Sequence, residues 1–337
     1  MEASLLADGG WLPLAFAILM GLAILIYVIL DGYDLGVGML MATAGEEERD
    51  LMVGSIGPFW DANETWLVLG IGLLLVAFPI AHGIVLTALY IPVALMLLGL
   101  ILRGVAFEFR VKVDPEHKER WNRIFIAGSL LASLAQGYML GQYILGFEEG
   151  WGGQAFSLLT AICLAAAYAF IGAGWLVMKT EGTLQKRAVR WAQLTLWLSA
   201  VGMAAVSLAT PLVSARIFEK WFSLPNLFLL MPIPAATAIL FAGLAFLLPR
   251  MPLQEDRFSW APFAGAVGIF LLGFHGLAYS FFPFVVPDQL TIWEAAAAPE
   301  SLLITFIGAC VVLPFIGGYT VLAYRVFRGK ASILTYH

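Results

Sequence analysis

Charged residues are scarce in this chain of 337 residues. Lys, Arg, Asp and Glu together make up 12% of it, whereas about 25% is usual for a soluble domain. Hydrophobic residues make up 61%. This composition excludes a soluble domain with a polar surface, so the chain must face lipid. It also argues against nucleic-acid binding, because the sequence has no basic arm and no ladder of basic and aromatic residues.

Residues that bind haem or metal ions are few as well. The two cysteines, Cys163 and Cys310, lie in apolar runs and are predicted to be packed thiols rather than disulfide or metal ligands. Of the four histidines, only His275 falls inside a predicted span. A transmembrane b-type haem needs axial His or Met ligands. We therefore predict no haem ligand and no metal ligand in this chain, and we predict that His275 is a hydrogen-bonded interior residue.

Motifs for phosphate, dinucleotide and zinc chemistry are also missing. The sequence has no Walker loop, no dinucleotide fingerprint, no His-Glu-x-x-His and no nucleophile elbow. The stretches GVGML at 36–40 and GAG at 172–174 instead predict close packing between helices, because small residues let two backbones approach.

Long apolar runs are what the sequence has in abundance. They do not alternate as the strands of a membrane barrel would, so they predict membrane-spanning helices. The segment before Trp11 has no positive region and no cleavage site follows, which predicts a retained first span rather than a signal peptide. Pro79 and Gly83 predict a tight turn between the second and third spans. The nine predicted spans are 11–30, 60–80, 83–103, 123–146, 155–178, 191–213, 226–248, 259–283 and 300–325.

The basic residues predict the orientation of these spans. When the N-terminus is placed outside, only Arg216 and Lys220 of the 18 Lys and Arg residues fall on the outer side. An excess of basic residues marks the cytoplasmic side, so the sequence predicts an N-out, C-in protein. Tryptophans near the span ends, Trp60 and Trp66 among them, are predicted to form an aromatic belt.

Four carboxylates are placed where the membrane makes charge expensive. Asp31 and Asp34 end the first span, and Asp61 and Glu64 open the second. The spacing Asp61-x-x-Glu64 is typical of a capping box, which favours a purely structural role. The alternative is a proton or cation path, because carboxylates at membrane depth often mark such paths. Asn63 could bond to backbone or substrate, although packing is the simpler interpretation.

The third span ends in a second group of charges. Arg103 and Glu108 lie five residues apart, which is a poor spacing for an ion pair along one helix. We therefore predict that Arg103, like Arg110, reaches out to the membrane interface along its apolar stem.

Several stretches together resemble subunit II of the cytochrome bd-type quinol oxidases, including the cyanide-insensitive branch. The resemblance runs from residue 10 to residue 328 in the same order, with Ala62 standing where the family commonly has glycine. The stretches are LDGYDLGVGML, GPFWDANETWL, RGVAFEFR, FPFVVP and TIWEAAAAPESL.

The resemblance implies a fold and a division of labour. It implies an all-α protein of the bacterial inner membrane with two four-helix bundles, 60–178 and 191–325, and one peripheral helix, 11–30, within a single domain. The family's complex oxidises quinol and reduces dioxygen to water. Its haem b groups and haem d (or a third haem b) belong to subunit I. A structural quinone or lipid, and a small single-span subunit, are further expected partners.

The resemblance also assigns roles to the acids. It implies that Asp61 lines a hydrophilic path for protons from the cytoplasmic side, with Glu64, Asp31 and Asp34 at the same entrance. Of the four, Asp61 is expected to matter most, and Glu64 is expected to act more as a helix cap. Two other functions stay open at this point: a proton-coupled secondary transporter, and a purely structural partner whose acids serve only as caps and contacts.

Overall fold

A computed structural model describes residues 10–148 and 150–331 of the chain. Residues 1–9, on which the prediction of a retained N-terminus partly depends, lie outside the described residues. The described helices are α1 (Leu12–Leu40), α2 (Glu46–Ile56), α3 (Trp60–Ala77), α4 (Pro79–Ala88), α5 (Tyr90–Lys112), α6 (Pro115–Ile144), α7 (Trp151–Lys179), α8 (Gly182–Val213), α9 (Ala215–Phe222), α10 (Asn226–Leu230), α11 (Pro232–Leu247), α12 (Ala261–Phe281) and α13 (Pro299–Val326). Short 3₁₀ turns occupy Met41–Thr43, Leu248–Arg250 and Gln254–Asp256.

Within the described ranges, nine helical segments are long and apolar enough to cross a membrane. This confirms the predicted number. A two-stranded antiparallel sheet, β1 (Phe284–Val286) and β2 (Leu290–Thr291), lies between α12 and α13.

The first helix runs ten residues further than its predicted span. Its predicted end at residue 30 was wrong, because α1 continues through both aspartates to Leu40. Polar side chains need not end a helix when partners on other helices compensate their charge, and Asp31 and Asp34 have such a partner, as described below.

The predicted turn at Pro79 and Gly83 was also wrong. The backbone breaks one residue earlier, at Phe78 (φ −134°, ψ 61°), and Pro79 then begins the short helix α4. Proline suits that position because its missing N–H would have no partner in the first turn of a helix. A second break at Leu89 separates α4 from α5. The third span therefore runs from Tyr90 to Lys112, and Arg103 lies well inside it.

Glycines allow α1 and α7 to pack closely against each other. A Cβ atom added to Gly36 would lie 1.8 Å from the carbonyl oxygen of Tyr168, and one added to Gly172 would lie 2.6 Å from the backbone of Gly36. The two helices thus touch backbone to backbone, as the patches at 36–40 and 172–174 predicted.

The first helix is not the peripheral one. It packs against α3, α6, α7, α12 and α13, and this central position contradicts the prediction that 11–30 lies at the edge. The last helix, α13, touches mainly α1 and α3, and most of its side chains are exposed. The grouping of 60–178 and 191–325 into two four-helix bundles stays a prediction.

Candidate functional site

Arg103 is fully buried among three carboxylates. It lies on α5, and its guanidinium is paired with Asp31 of α1; its Nη1 lies 3.2 Å from Oε1 of Glu64 on α3, and its Nη2 lies 3.9 Å from Oδ2 of Asp34. The Trp60 ring lies 5.7 Å from the guanidinium carbon. We call Arg103, Asp31, Asp34 and Glu64 the ionic cluster.

Helical spacing brings the cluster together. Asp31 and Asp34 are three residues apart on α1, which places both carboxylates on one face. Glu64 lies in the second turn of α3, and Arg103 lies in the second half of α5. Arg103 does not reach the interface as predicted, because the acids of two neighbouring helices hold it in the interior. A buried ion of this kind is retained only where it is paired.

The four side chains of the ionic cluster are not equally buried. The side chains of Arg103, Asp31 and Asp34 are 0% exposed, whereas that of Glu64 is 27% exposed. Glu64 is therefore the member through which the cluster reaches the surface of the chain.

The cluster holds more acid than base. With every carboxyl ionised, three negative charges would face one positive charge. A net charge is very costly in a buried site, so bound protons or a cation must offset the surplus. Asp31 Oδ2 and Asp34 Oδ1 have no hydrogen-bond partner among the described residues, which leaves both oxygens able to take a proton.

Asn63 connects the cluster to two tyrosines. Its Nδ2 donates to Asp34 Oδ2 at 2.7 Å and to the Tyr33 hydroxyl at 3.0 Å. Its Oδ1 accepts from the Tyr324 hydroxyl at 3.1 Å, and the two tyrosine hydroxyls lie 2.6 Å apart. The interpretation of Asn63 as a packing residue was wrong, because this side chain joins α1, α3 and α13.

A second polar group lies near an earlier turn of α1. The Gln136 amide donates to the Tyr27 hydroxyl at 2.7 Å and accepts from the Tyr168 hydroxyl at 2.7 Å. Tyr27 lies four residues before Asp31, so it lies on the same face of α1 one turn away. A second set of hydrogen-bonding side chains thus lies one helical turn from the ionic cluster.

Asp61 lies outside the cluster. Its side chain is exposed, and it makes no ion pair or hydrogen bond among the described residues. The predicted capping box is also absent, because α3 has Phe59 at its N-cap and no side chain caps it. Glu64 is therefore the fifth residue of the helix rather than a cap, and it contacts the buried arginine instead.

The other charges of α5 serve different partners. Glu108 is 46% exposed and pairs with Lys112 at 3.2 Å, apart from Arg103. Arg110 is buried rather than reaching the interface, and it bonds to Asp50 at 2.9 Å and to Asn122 at 3.0 Å. Both predictions for the buried arginines failed for the same reason, since each arginine has a partner from another helix.

Of the two tryptophans at the start of α3, Trp66 is too buried for an aromatic belt, whereas the belt position of the half-buried Trp60 stays a prediction. Trp60 packs against Phe107 and the Arg103 guanidinium, and Trp66 is buried. His275 is exposed on α12, so its prediction as an interior residue was wrong. Its Nδ1 does bond to the carbonyl of Leu271, at 2.7 Å. Within residues 10–148 and 150–331, no three His, Cys, Asp or Glu side chains form a group that could hold a metal ion.

Sequence reasoning missed the tyrosines of the network. Tyr33 stands between the two aspartates in DGYD, which is a local signal, whereas Tyr324 is 291 residues away and carries no signal beyond its place near the end of a span.

The fold and the cluster together define a multi-pass helical membrane protein with a buried ionic site. A family model described as "Cytochrome bd terminal oxidase subunit II" matches residues 12–327, which is nearly the whole described chain. The chain therefore belongs to the family of subunit II of the cytochrome bd terminal oxidases, a subunit of an oxidoreductase complex that oxidises quinol.

Individual relatives agree with this assignment. The chain is 30% identical to "Cytochrome bd ubiquinol oxidase subunit 2" of Bacillus subtilis over 326 residues, covering 91% of this chain and 93% of the relative. It is 27% identical to "Cytochrome bd-I ubiquinol oxidase subunit 2" of Escherichia coli K12, covering 94% of each. The bd oxidase structure from Geobacillus thermodenitrificans has the same fold, with a TM-score of 0.73, 18% identity, and coverage of 95% of this chain and 99% of that one. Membership of this family excludes the alternative function of a proton-coupled secondary transporter.

Proposed function

We propose that this chain supports the assembly of a haem-bearing subunit I and carries the entrance of a proton path from the cytoplasm. The observation that carries the proposal is the contact between Glu64, which is partly exposed, and Arg103, which is fully buried against Asp31 and Asp34. Only the Arg103 side chain would then separate a proton on Glu64 from the buried carboxyls of Asp31 and Asp34. Such a series of acids suits proton relay, because each carboxyl can both bind and release a proton.

The orientation follows from the distribution of basic residues. An N-out, C-in chain in the bacterial inner membrane puts the acidic opening at Asp61 and Glu64 on the cytoplasmic side, the side that attracts most Lys and Arg. Asp61 is exposed beside this opening, so we propose that it collects protons and that Glu64 passes them inward.

The redox chemistry belongs to the partner. Subunit I would hold the haem b groups and haem d (or a third haem b), oxidise quinol and reduce dioxygen to water. A small single-span subunit and a structural quinone remain expected partners. The exposed apolar faces of α11 and α13 support contact with lipid or with subunit I.

Three variants of the assembled complex test the proton path. We expect Glu64→Gln to slow quinol oxidation and proton uptake by about tenfold or more, a change of about 1.4 kcal/mol in barrier height. Asp61→Asn should have a smaller effect, because its carboxylate touches no member of the cluster. Glu108→Gln is the matched control, since Glu108 is an exposed acid of α5 outside the cluster, and its turnover should be unchanged.

Wild-type behaviour of the Glu64→Gln variant would refute the proposed proton path. If Glu64→Gln assembles with a full haem spectrum and keeps wild-type turnover and proton uptake, protons do not enter through the cluster. Loss of assembly in Glu64→Gln but not in Glu108→Gln would instead leave the cluster a purely structural role.

A further inference from the structure

A groove of about 500 Å³ lies between α1, α12 and α13. Its walls include Ile29 of α1, Phe263 and Val267 of α12, and Val321 of α13. The groove is open along one side, and its volume lies in the range of about 300–1,000 Å³ in which proteins commonly hold small ligands. Since these helices span the membrane, the open side faces the bilayer or a neighbouring subunit.

Apart from two arginines at one end, the described residues that line the groove offer no free polar side chain to a ligand. The hydroxyl of Thr320 donates to the carbonyl of Ile316 at 3.0 Å. The hydroxyl of Tyr324 is turned inward to Asn63 and Tyr33, at 3.1 and 2.6 Å, so only its ring lines the groove. Whatever part of a ligand lies along these walls must therefore be apolar, because a polar part would lose its hydrogen bonds.

One end of the groove is strongly basic. Arg325 and Arg328 line that end, and both side chains are exposed. Neither arginine has an ion-pair or hydrogen-bond partner among the described residues. Arg325 lies in the last turn of α13, where the helix dipole favours positive charge, and Arg328 lies two residues after the end of the helix.

The chain after α13 is held in place by a buried lysine. The Lys179 ammonium donates to the carbonyls of Phe327 and Gly329 at 2.5 and 2.7 Å, and the backbone N–H of Ala331 donates to the Lys179 carbonyl at 2.7 Å. These bonds bracket Arg328 on both sides. The fold therefore positions this arginine at the end of the groove.

We propose that this groove binds one anionic phospholipid. An acyl chain would lie against Ile29, Val267 and Val321, and the phosphate would lie between Arg325 and Arg328. Guanidinium groups bind phosphate through paired, charge-assisted hydrogen bonds, and basic pockets between membrane helices recognise anionic head groups. A neutral isoprenoid ligand fits less well, because it would gain nothing from two adjacent positive charges.

The test uses the assembled complex, washed in neutral detergent and then incubated with micelles containing phosphatidylglycerol or phosphatidylcholine. Native mass spectrometry counts the lipids that each complex retains. We expect the wild type to retain one phosphatidylglycerol in preference to phosphatidylcholine. The double variant Arg325→Gln/Arg328→Gln should lose about 10- to 30-fold in affinity for phosphatidylglycerol.

Two further variants separate the groove from general charge. Lys186→Gln/Arg190→Gln removes two exposed basic residues of α8 and should retain the lipid. Val267→Trp fills the groove, keeps both arginines and should release it. The proposal would be overturned if the arginine double variant or Val267→Trp still retained the phosphatidylglycerol. It would also be overturned if the α8 control lost the lipid equally, or if the wild type showed no preference for phosphatidylglycerol. If the double variant fails to assemble, the single variants Arg325→Gln and Arg328→Gln decide by the same count.

Discussion

Removing Arg103 tests whether the ionic cluster depends on one positive charge. Arg103→Gln leaves three carboxyls with no cation and one amide in place of the guanidinium. Breaking a buried ion pair by removing one partner costs about 3–5 kcal/mol, because the other charge is left without compensation. Since Arg103 lies within 4 Å of three acids, we expect a loss of unfolding free energy at the upper end of that range.

A second substitution shows whether the stability loss in Arg103→Gln comes from lost charge or from lost volume. Asp31→Asn in the Arg103→Gln background removes one of the stranded acids at nearly constant volume. If charge imbalance causes the loss, the double variant should be more stable than Arg103→Gln alone, and the two effects should not add. If the loss came from the missing volume of the guanidinium, Asp31→Asn would not recover it.

The assay is unfolding of the assembled complex in mixed micelles, followed by loss of helical signal. Arg123→Gln is the control, because Arg123 is 78% exposed and pairs with Glu119 across one helical turn. Exposed pairs contribute about 0–1 kcal/mol, so this variant should unfold close to the wild type. A loss for Arg103→Gln no larger than that for Arg123→Gln would refute the reasoning.

Two more predictions concern packing and hydrogen bonding in the same assay. Gly36→Ala should lower the free energy of unfolding by about 1–3 kcal/mol, because its Cβ would overlap the Tyr168 carbonyl. Gly72→Ala is the control and should cause no loss, because its Cβ would meet nothing within 4 Å. Equal effects of the two substitutions would contradict the close contact at Gly36. Tyr324→Phe should cost about 1 kcal/mol, because it removes the hydroxyl that donates to Asn63; an unchanged midpoint would show that this bond contributes nothing.

The sequence predicted the number of spans because that number depends on local composition. Each span needs a long apolar run, and a run can be counted without knowing its neighbours. The break at Phe78 was placed wrongly for a related reason: Pro79 disrupts the middle of a helix but is well tolerated at its start, and composition alone does not tell these positions apart.

The site was predicted only in part, because its partners lie on separate helices. Asp31, Asp34, Asp61 and Glu64 stand out as acids beside apolar runs. The sequence does not reveal their pairing with Arg103, which is 72 residues from Asp31. That pairing depends on the tertiary position of α5, whose main packing partner is α6. Without that contact, movement of the arginine to the interface is the physically cheaper expectation.

The relative roles of Asp61 and Glu64 depend on where α3 begins. The two residues are three apart, so they share a face of the helix and differ in depth by about 4.5 Å along its axis. That distance separates an exposed carboxylate in the first turn from one that reaches Arg103. The two acids therefore need not share one role, although they were predicted as a pair. Asp61 lies where it can favour the positive end of the helix dipole and attract protons, whereas Glu64 lies between the surface and the two fully buried aspartates.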